Sequence, residues 1–447
     1  MITRDFVIKK VFRRYVWLVL IVYFFAGLDR ANIGFASLSM NKDLGLTAQM
    51  YGFAAGLYFL GYILFEIPNL TLLNKLGTRR WLTTIMIVWG VVSTCTMFVQ
   101  SSSSLTVLRF LLGVAEAGFT PGVLIFLTHW FPETHRARIN GIFFLGAPIV
   151  STLGSLLSGV VLKLDGVLGV AGWKWLFLLE GIPSVLLGVV VYFYLSDRPF
   201  DAKWLTHEEK EILQNNLGEK SKDCKSEYKI GFLKAFTNPT VLFFGLAYFG
   251  IQTLSTGNAF WMPQIIKGLH LEDSMVAFVS AIPPFIGAIA MYFWGRHSDK
   301  TYERIWHAFI AAVICSVGWF VGAMLQSPLL LICALTVGSI GFYSLLAVFW
   351  TIPTKLFSGI SATSAVAAIS LIGNTGSFIM PQVIGKIRDV TGGFTGAFLL
   401  ISSSILLTGI IILIVGNRKA KVTNSVSSEE ERISLERFRE FDSTMKR

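Results

Sequence analysis

Charge is what this chain lacks. Asp, Glu, Lys and Arg together make up 15% of its 447 residues, too few to cover the surface of a water-soluble protein of that length. Cysteine is scarce as well: Cys95, Cys224, Cys315 and Cys333 show no CxxC spacing, so they offer neither a disulfide framework nor a thiolate metal site. The six histidines, His129, His135, His207, His270, His297 and His307, fall in or near loops and form no ligand cluster. A phosphate-binding glycine loop is missing, which argues against an ATP-driven pump. A nucleophile set beside a base is missing too, which argues against a membrane enzyme. No cofactor is expected; an ion gradient is the remaining energy source.

What the chain has instead is apolar length. Hydrophobic residues make up 53% of it and the mean hydropathy is +0.63. Crossing a bilayer takes about 20 apolar residues. Such runs occur near 15–39, 49–73, 81–100, 105–130, 138–162 and 173–196, and again near 239–266, 274–296, 306–326, 328–353, 360–386 and 394–416. The expected fold is an all-α membrane protein of twelve transmembrane helices in two six-helix bundles, residues 1–196 and 239–416. Between them, 197–238 turns polar and charged, a hydrophilic connector. Residues 417–447 form a charged tail with Glu429, Glu430 and Glu431. Either segment is a surface helix or disordered. The first apolar run follows basic residues, as in a signal peptide, but is too long and lacks a cleavage site of small residues.

Lysine and arginine collect in alternate loops. Lys9, Lys10, Arg13 and Arg14 precede span 1, Lys75, Arg79 and Arg80 follow span 2, and Arg136 and Arg138 follow span 4. Arg296, Lys300 and Arg304 follow span 8, and Arg418, Lys419 and Lys421 follow span 12. The intervening loops carry almost none. By the positive-inside rule both termini and the connector are cytoplasmic. The same loops account for the net charge of +11, which is directed at anionic lipid headgroups and not at nucleic acid.

Against this background Asp29 and Arg30 stand side by side inside the first apolar run. A charged side chain at bilayer depth costs about 2.5–3.5 kcal/mol on insertion scales and is rare away from solute and ion pathways. Span 4 carries a second pair, Arg109 and Glu116, seven residues apart and hence on one helix face. A purely structural salt-bridge network is the alternative, but a buried ion pair seldom gains stability over apolar packing. Desolvation favours the neutral form of a carboxyl group, so Asp29 and Glu116 are candidates to bind and release protons. Arginine stays charged, and its planar fork accepts a carboxylate through two parallel hydrogen bonds. The chemistry points to acids that carry protons and arginines that hold an anion.

Several motifs carry a resemblance. Gly77-Thr-Arg79-Arg80 after span 2 and Gly295-Arg296-His-Ser-Asp299-Lys300 after span 8 resemble the paired loop motif of the major facilitator superfamily. Leu28-Asp29-Arg30-Ala-Asn32-Ile-Gly34, Phe65-Glu66-Ile-Pro68, Arg109–Gly122 and Trp175-Leu-Phe-Leu-Leu-Glu180-Gly-Ile-Pro183 resemble its anion:cation symporter family, in particular bacterial permeases for tartrate, rhamnonate and hydroxyphenylacetate. The resemblance covers residues 7 to about 416. It implies proton-coupled import of a small organic anion by alternating access in a monomer. Asp29 and Glu116 match the proton-coupling acids, Arg30 the residue that meets the substrate carboxylate, and Arg109 the partner that neutralises or gates the acids. Tyr62 matches a position that gives a hydroxyl to the substrate.

The chain also departs from the family pattern. Asn69-Leu70 follows Pro68 where Ser-Asn is usual, and Asn74 replaces an acid in the first loop motif. Ser370 and Ala147 stand where asparagine and glutamine are often found. These shorter side chains lean toward a short dicarboxylate, a deoxy sugar acid or an aromatic acid. Binding sites in such transporters lie near the midplane between the repeats. From the second half, Gln252, Thr253, Ser255, Asn258, Ser370, Tyr343, Trp350 and Asn374 are therefore candidates to touch substrate. Polar side chains in spans also serve as glue between helices. Glu66 and Glu180 read as residues near span ends that fix packing or gating. Asp299 with Arg296 and Lys300 reads as a latch of the inner gate. An exporter of the same fold, or a membrane sensor that binds an anion without moving it, remains as a competing reading.

Overall fold

The structure, a computed structural model, describes residues 4–217, 234–357 and 359–417. Its elements are helical, because a chain in lipid must satisfy every backbone N–H and C=O within itself. Eleven helices among the described residues are long and apolar enough to span a membrane. They are α1 (Arg4–Asp43), α2 (Ala48–Leu76), α3 (Thr78–Phe98), α4 (Ser102–Trp130), α5 (Thr134–Leu162), α6 (Gly172–Tyr194), α8 (Asp273–Thr301), α9 (Ile305–Gly322), α10 (Pro328–Thr354), α11 (Ser364–Thr391) and α12 (Thr395–Asn417).

The twelfth expected span, α7, comes in three consecutive pieces: Pro239–Thr256, a π-helical turn Gly257–Trp261, and Met262–Lys267. It is not among the eleven. The reason is its own polar load, Gln252, Thr253, Ser255, Thr256, Asn258 and Gln264. Such a segment is tolerated at membrane depth only where protein or a cavity receives the polar groups. Here α7 packs along α1 and α11.

Each half repeats the other's packing. Helix α2 packs on α4 and α8 on α10; α1 packs on α5 and α7 on α11. The halves meet through α2 with α11 and α5 with α8. Large apolar side chains such as Trp17, Leu186, Phe193, Leu329 and Leu407 point outward and are exposed, the reverse of a protein dissolved in water and the pattern of a lipid-facing surface.

Bonds between the halves concentrate at one end, where α1 finishes and α2 begins. Tyr51 Oη donates across to the carbonyl of Phe260 at 3.1 Å and, within its own half, to that of Ile33 at 3.3 Å. Gln264 Nε2 donates to Ser37 Oγ at 2.9 Å, and Gln264 in turn accepts from Arg388. Glycines let the backbones interlock there: a Cβ on Gly34 would lie 2.1 Å from the Ala259 carbonyl oxygen, and one on Gly52 2.2 Å from that of Pro381.

At the other end, the connector folds back on the first half. Its helix, His207–Leu217, buries Glu209 against Lys10 at 2.8 Å, and Trp204 stacks on Trp130 at 5.9 Å. Residues 218–233 of the connector and 418–447 of the tail lie outside the described residues.

Candidate functional site

The centre of α1 presents three polar residues to three surroundings, because successive residues on a helix point about 100° apart. Asp29 faces backward into the α1–α3–α6 contact and is fully buried. Its carboxylate accepts from Ser93 Oγ at 2.5 Å and Ser184 Oγ at 3.2 Å. Arg30 points toward α4 and the space between the halves, where its side chain keeps 31% of its exposure. Asn32 is buried, and neither of its amide atoms has a hydrogen-bond partner among the described residues.

Glu116 is fully buried, and its Oε2 receives Tyr58 Oη at 2.6 Å and Arg30 Nη2 at 3.1 Å. Its other oxygen, Oε1, has no hydrogen-bond partner among the described residues. The acid closes the first part of α4, Ser102–Glu116; Gly118 then turns left-handed (φ 77°) before Phe119–Trp130 begins. Only glycine takes that conformation without strain. A helix C-terminus is an unfavourable place for a carboxylate, and Arg30 supplies the compensating charge. The break leaves the Val114 carbonyl without its helical partner, and Asn69 Nδ2 donates to it at 2.9 Å. The departure from the family pattern at Asn69 thus ties α2 to the α4 break.

Between the halves lies a cavity of about 200 Å³. One wall carries a row of serines on α5, Ser151, Ser155 and Ser158; aromatic rings of Phe35, Phe59 and Phe342 form others. Among the described residues, Arg30 is the sole charged side chain in its lining.

Of the residues expected to meet substrate, Arg30 and Asn258 line this cavity, as do Ser255, Tyr343 and Ala147. Tyr62 does not, although its ring lies 5.8 Å from the Arg30 guanidinium. Asn374 is held by Gln252, whose Nε2 reaches its Oδ1 at 2.8 Å and Ser377 Oγ at 3.2 Å; it acts as glue between α7 and α11. Ser370 and Trp350 also fall outside the lining, and Trp350 packs edge-on against Tyr248 at 4.8 Å.

Arg109 comes to the cluster but does not pair with either acid. Its Nη1 donates to the Asp29 backbone carbonyl at 3.3 Å, and its guanidinium lies 5.4 Å from the Tyr58 ring. Asp299 forms its ion pair with Arg304 at 2.5 Å, within one half, and not with Arg296, which is exposed. Among the described residues, no ion pair joins Asp299 to the first half in this conformation. Glu180 is not near a span end: it sits near the middle of α6 and is 4% exposed.

The serine row, Ser93, Ser184 and Tyr58 went unrecognised in the sequence. The row at least left a signal, since 151, 155 and 158 follow helical spacing within an apolar run. The partners of Asp29 and Glu116 left none, because single hydroxyls on separate spans are common filler.

The comparisons with known proteins agree with this architecture. The family model described as Major Facilitator Superfamily matches residues 19–381. An Agrobacterium vitis protein named as a tartrate transporter is 40% identical over 95% of this chain and 94% of its own length. The Quinolone resistance transporter of Acinetobacter baumannii is 36% identical over 91% of this chain and 94% of its own. Among solved structures, a bacterial homologue of the human lysosomal transporter Spinster, inward-facing and unoccupied, superposes with a TM-score of 0.71 at 16% identity, covering 92% of this chain and 96% of that one. With two matching six-helix halves around a central cavity, a family model over most of its length and relatives along nearly all of it, this chain is a multi-pass membrane transporter that belongs to the major facilitator superfamily.

Proposed function

We propose that the protein imports a small organic anion together with protons, by alternating access, as a monomer powered by the proton gradient alone. The observation that carries this reading is the Arg30–Glu116 pair at 3.1 Å, in which the cation reaches the cavity and the acid is sealed from it. A carboxylate entering the cavity competes with Glu116 for the guanidinium. Once displaced, Glu116 is a buried acid without its counter-charge, a state that costs several kcal/mol. Taking up a proton removes that cost, so anion and proton bind together. Asp29, held by two serine hydroxyls on the back of α1, is the second proton carrier. The serines of α5, together with Asn258 and Ser255, offer hydroxyl and amide groups to the rest of the anion.

Orientation follows the basic loops, with both termini on the cytoplasmic side of a bacterial inner membrane. The bonded end of the bundle is then the outer one, and this conformation is closed outward. The name of the Agrobacterium relative supports tartrate or a similar hydroxy acid as the first anion to test. The test is uptake of labelled tartrate, rhamnonate and hydroxyphenylacetate into proteoliposomes with and without an inward proton gradient. Gradient-driven uptake abolished by Arg30→Ala and uncoupled by Glu116→Gln supports the reading. Uptake unaffected by both substitutions overturns it.

Export is the second reading, favoured by the name of the Acinetobacter relative. It predicts that a proton gradient drives solute out of the compartment into which those protons flow, for example a quinolone out of loaded cells, with no gradient-driven uptake of the anions.

A further inference from the structure

Among the described residues of the membrane-spanning helices, Glu180 is the buried acid that the mechanism above leaves unused. Its side chain is sealed in the α1–α3–α6 contact, and both carboxylate oxygens lack a hydrogen-bond partner among the described residues. From α1 it faces Asp29 and Asn32. From α3 and α5 it meets no charge: those spans carry none between Arg80 and Phe98 or between Arg138 and Leu162. The nearest cation of the cluster, Arg109 on α4, is turned to the Asp29 carbonyl. One turn along α6, Ser184 Oγ lies within donating distance of Asp29 Oδ2 at 3.2 Å and of the Glu180 backbone carbonyl at 3.1 Å, which ties the α6 backbone at Glu180 to Asp29. Asn32, with its own amide unpartnered, stands between Glu180 and the cavity that it lines.

We propose that Glu180 holds a proton in this conformation and forms with Asp29 a two-carboxyl proton store behind α1, with Asn32 as its door to the cavity. An ionised carboxylate with no cation beside it, and only the Asn32 amide close by without a completed hydrogen bond, is among the most costly groups to bury. Two such charges in one apolar contact cannot both ionise, as in carboxyl pairs that share a site. When α1 and α6 part, water admitted past Asn32 takes the proton, leaving the carboxylate hydrated; the reverse step reloads it. The proton moves without any other bond changing.

The role in transport rests on the proton-coupled reading; the presence of the proton does not. Two measurements separate them. Infrared spectra of the purified full-length protein in nanodiscs at neutral pH are expected to show a protonated-carboxyl C=O band that Glu180→Gln removes and Asp29→Asn retains. If Glu180→Gln does not accumulate, Glu180→Met, uncharged and of similar volume, takes its place. In proteoliposomes transporting tartrate, or whichever anion of the panel is taken up, Glu180→Gln is expected to carry one proton fewer per anion, with anion affinity within about threefold of wild type. A wild type without the band, or a band that survives in the Glu180 variants, overturns the proposal whatever is transported. A removed band with an unchanged proton count restricts Glu180 to a structural proton and overturns its part in coupling. Failure of every anion to move, with the band removed as expected, counts against the transport reading and not against the proton.

Discussion

The carboxylate of Asp389, at the end of α11, accepts a 2.8 Å hydrogen bond from the backbone N–H of Gln49, the second residue of α2 in the opposite half. Its other oxygen accepts from the N–H of Ala48 at 3.0 Å. The acid thus caps a helix across the interface that the proposed alternating-access cycle would have to open. Helix N-termini leave N–H groups unpaired and carry partial positive charge, which a carboxylate satisfies.

Asp389→Ala should therefore shift the equilibrium toward the outward-open state. A charge at a helix N-terminus contributes about 0.3–1 kcal/mol at exposed sites, a two- to fivefold change in population. Spin labels at Leu168 and Met324, exposed residues at this end of the two halves, should show a larger long-distance fraction in the variant. An unchanged distance distribution would mean that the cap does not hold the gate.

Gly34 makes a stronger demand. A Cβ there would meet the Ala259 carbonyl oxygen at 2.1 Å, closer than any real contact, and backbone on both sides leaves nothing to yield. Gly34→Val should block closure at this end: the labelled pair stays apart, transport is lost, and anion binding from the outer side persists. Transport retained at more than a tenth of the wild-type rate would show that α1 and α7 do not need this approach.

The connector supplies a pH dependence outside the membrane. Burial pushes the Glu209 carboxyl up, but hydrogen bonds from Lys10 and from the Thr206 N–H outweigh it and hold the group below the ordinary glutamate range. An acid whose folded-state value is depressed stabilises the folded form above its unfolded value, about 4.3, and loses that contribution as pH falls through the folded value. Hydrogen-exchange protection across His207–Leu217, taken relative to the intrinsic amide rate at each pH, should stay constant from pH 8 to about 5 and fall below about 4. In Glu209→Gln it should already be lowered at neutral pH. Exchange that is equally slow in the variant would assign the docking to Leu213 and Trp204 alone.

The spans were legible because lipid imposes a length and a composition that any reader of sequence can count, and Asp29, Arg30, Arg109 and Glu116 stood out as violations of that composition. Which way each helix faces was less legible. A span that is apolar on every side has no amphipathic stripe to fix its rotation. Asn374 and Ser370 were thus expected at the cavity, while Ser151, Ser155 and Ser158, which line it, were passed over. Breaks inside spans were hidden because Gly118 and Gly257–Trp261 each lie within a stretch counted as one continuous span, 105–130 and 239–266. The family resemblance matched Arg109 to the acids; in this conformation its guanidinium reaches a backbone carbonyl, an acceptor that no side-chain pattern displays.

The central claim is that an incoming anion and Glu116 compete for Arg30, and that the displaced acid takes up a proton. Its most direct test adds tartrate, or the transported anion of the panel, to purified protein in weakly buffered solution and follows pH. Wild type should absorb protons in step with anion binding, Glu116→Gln should bind the anion with at least one proton fewer, and Arg30→Ala should bind it at least tenfold more weakly. Anion binding that leaves the pH unchanged in the wild type, or an uptake of protons identical in Glu116→Gln, would contradict it.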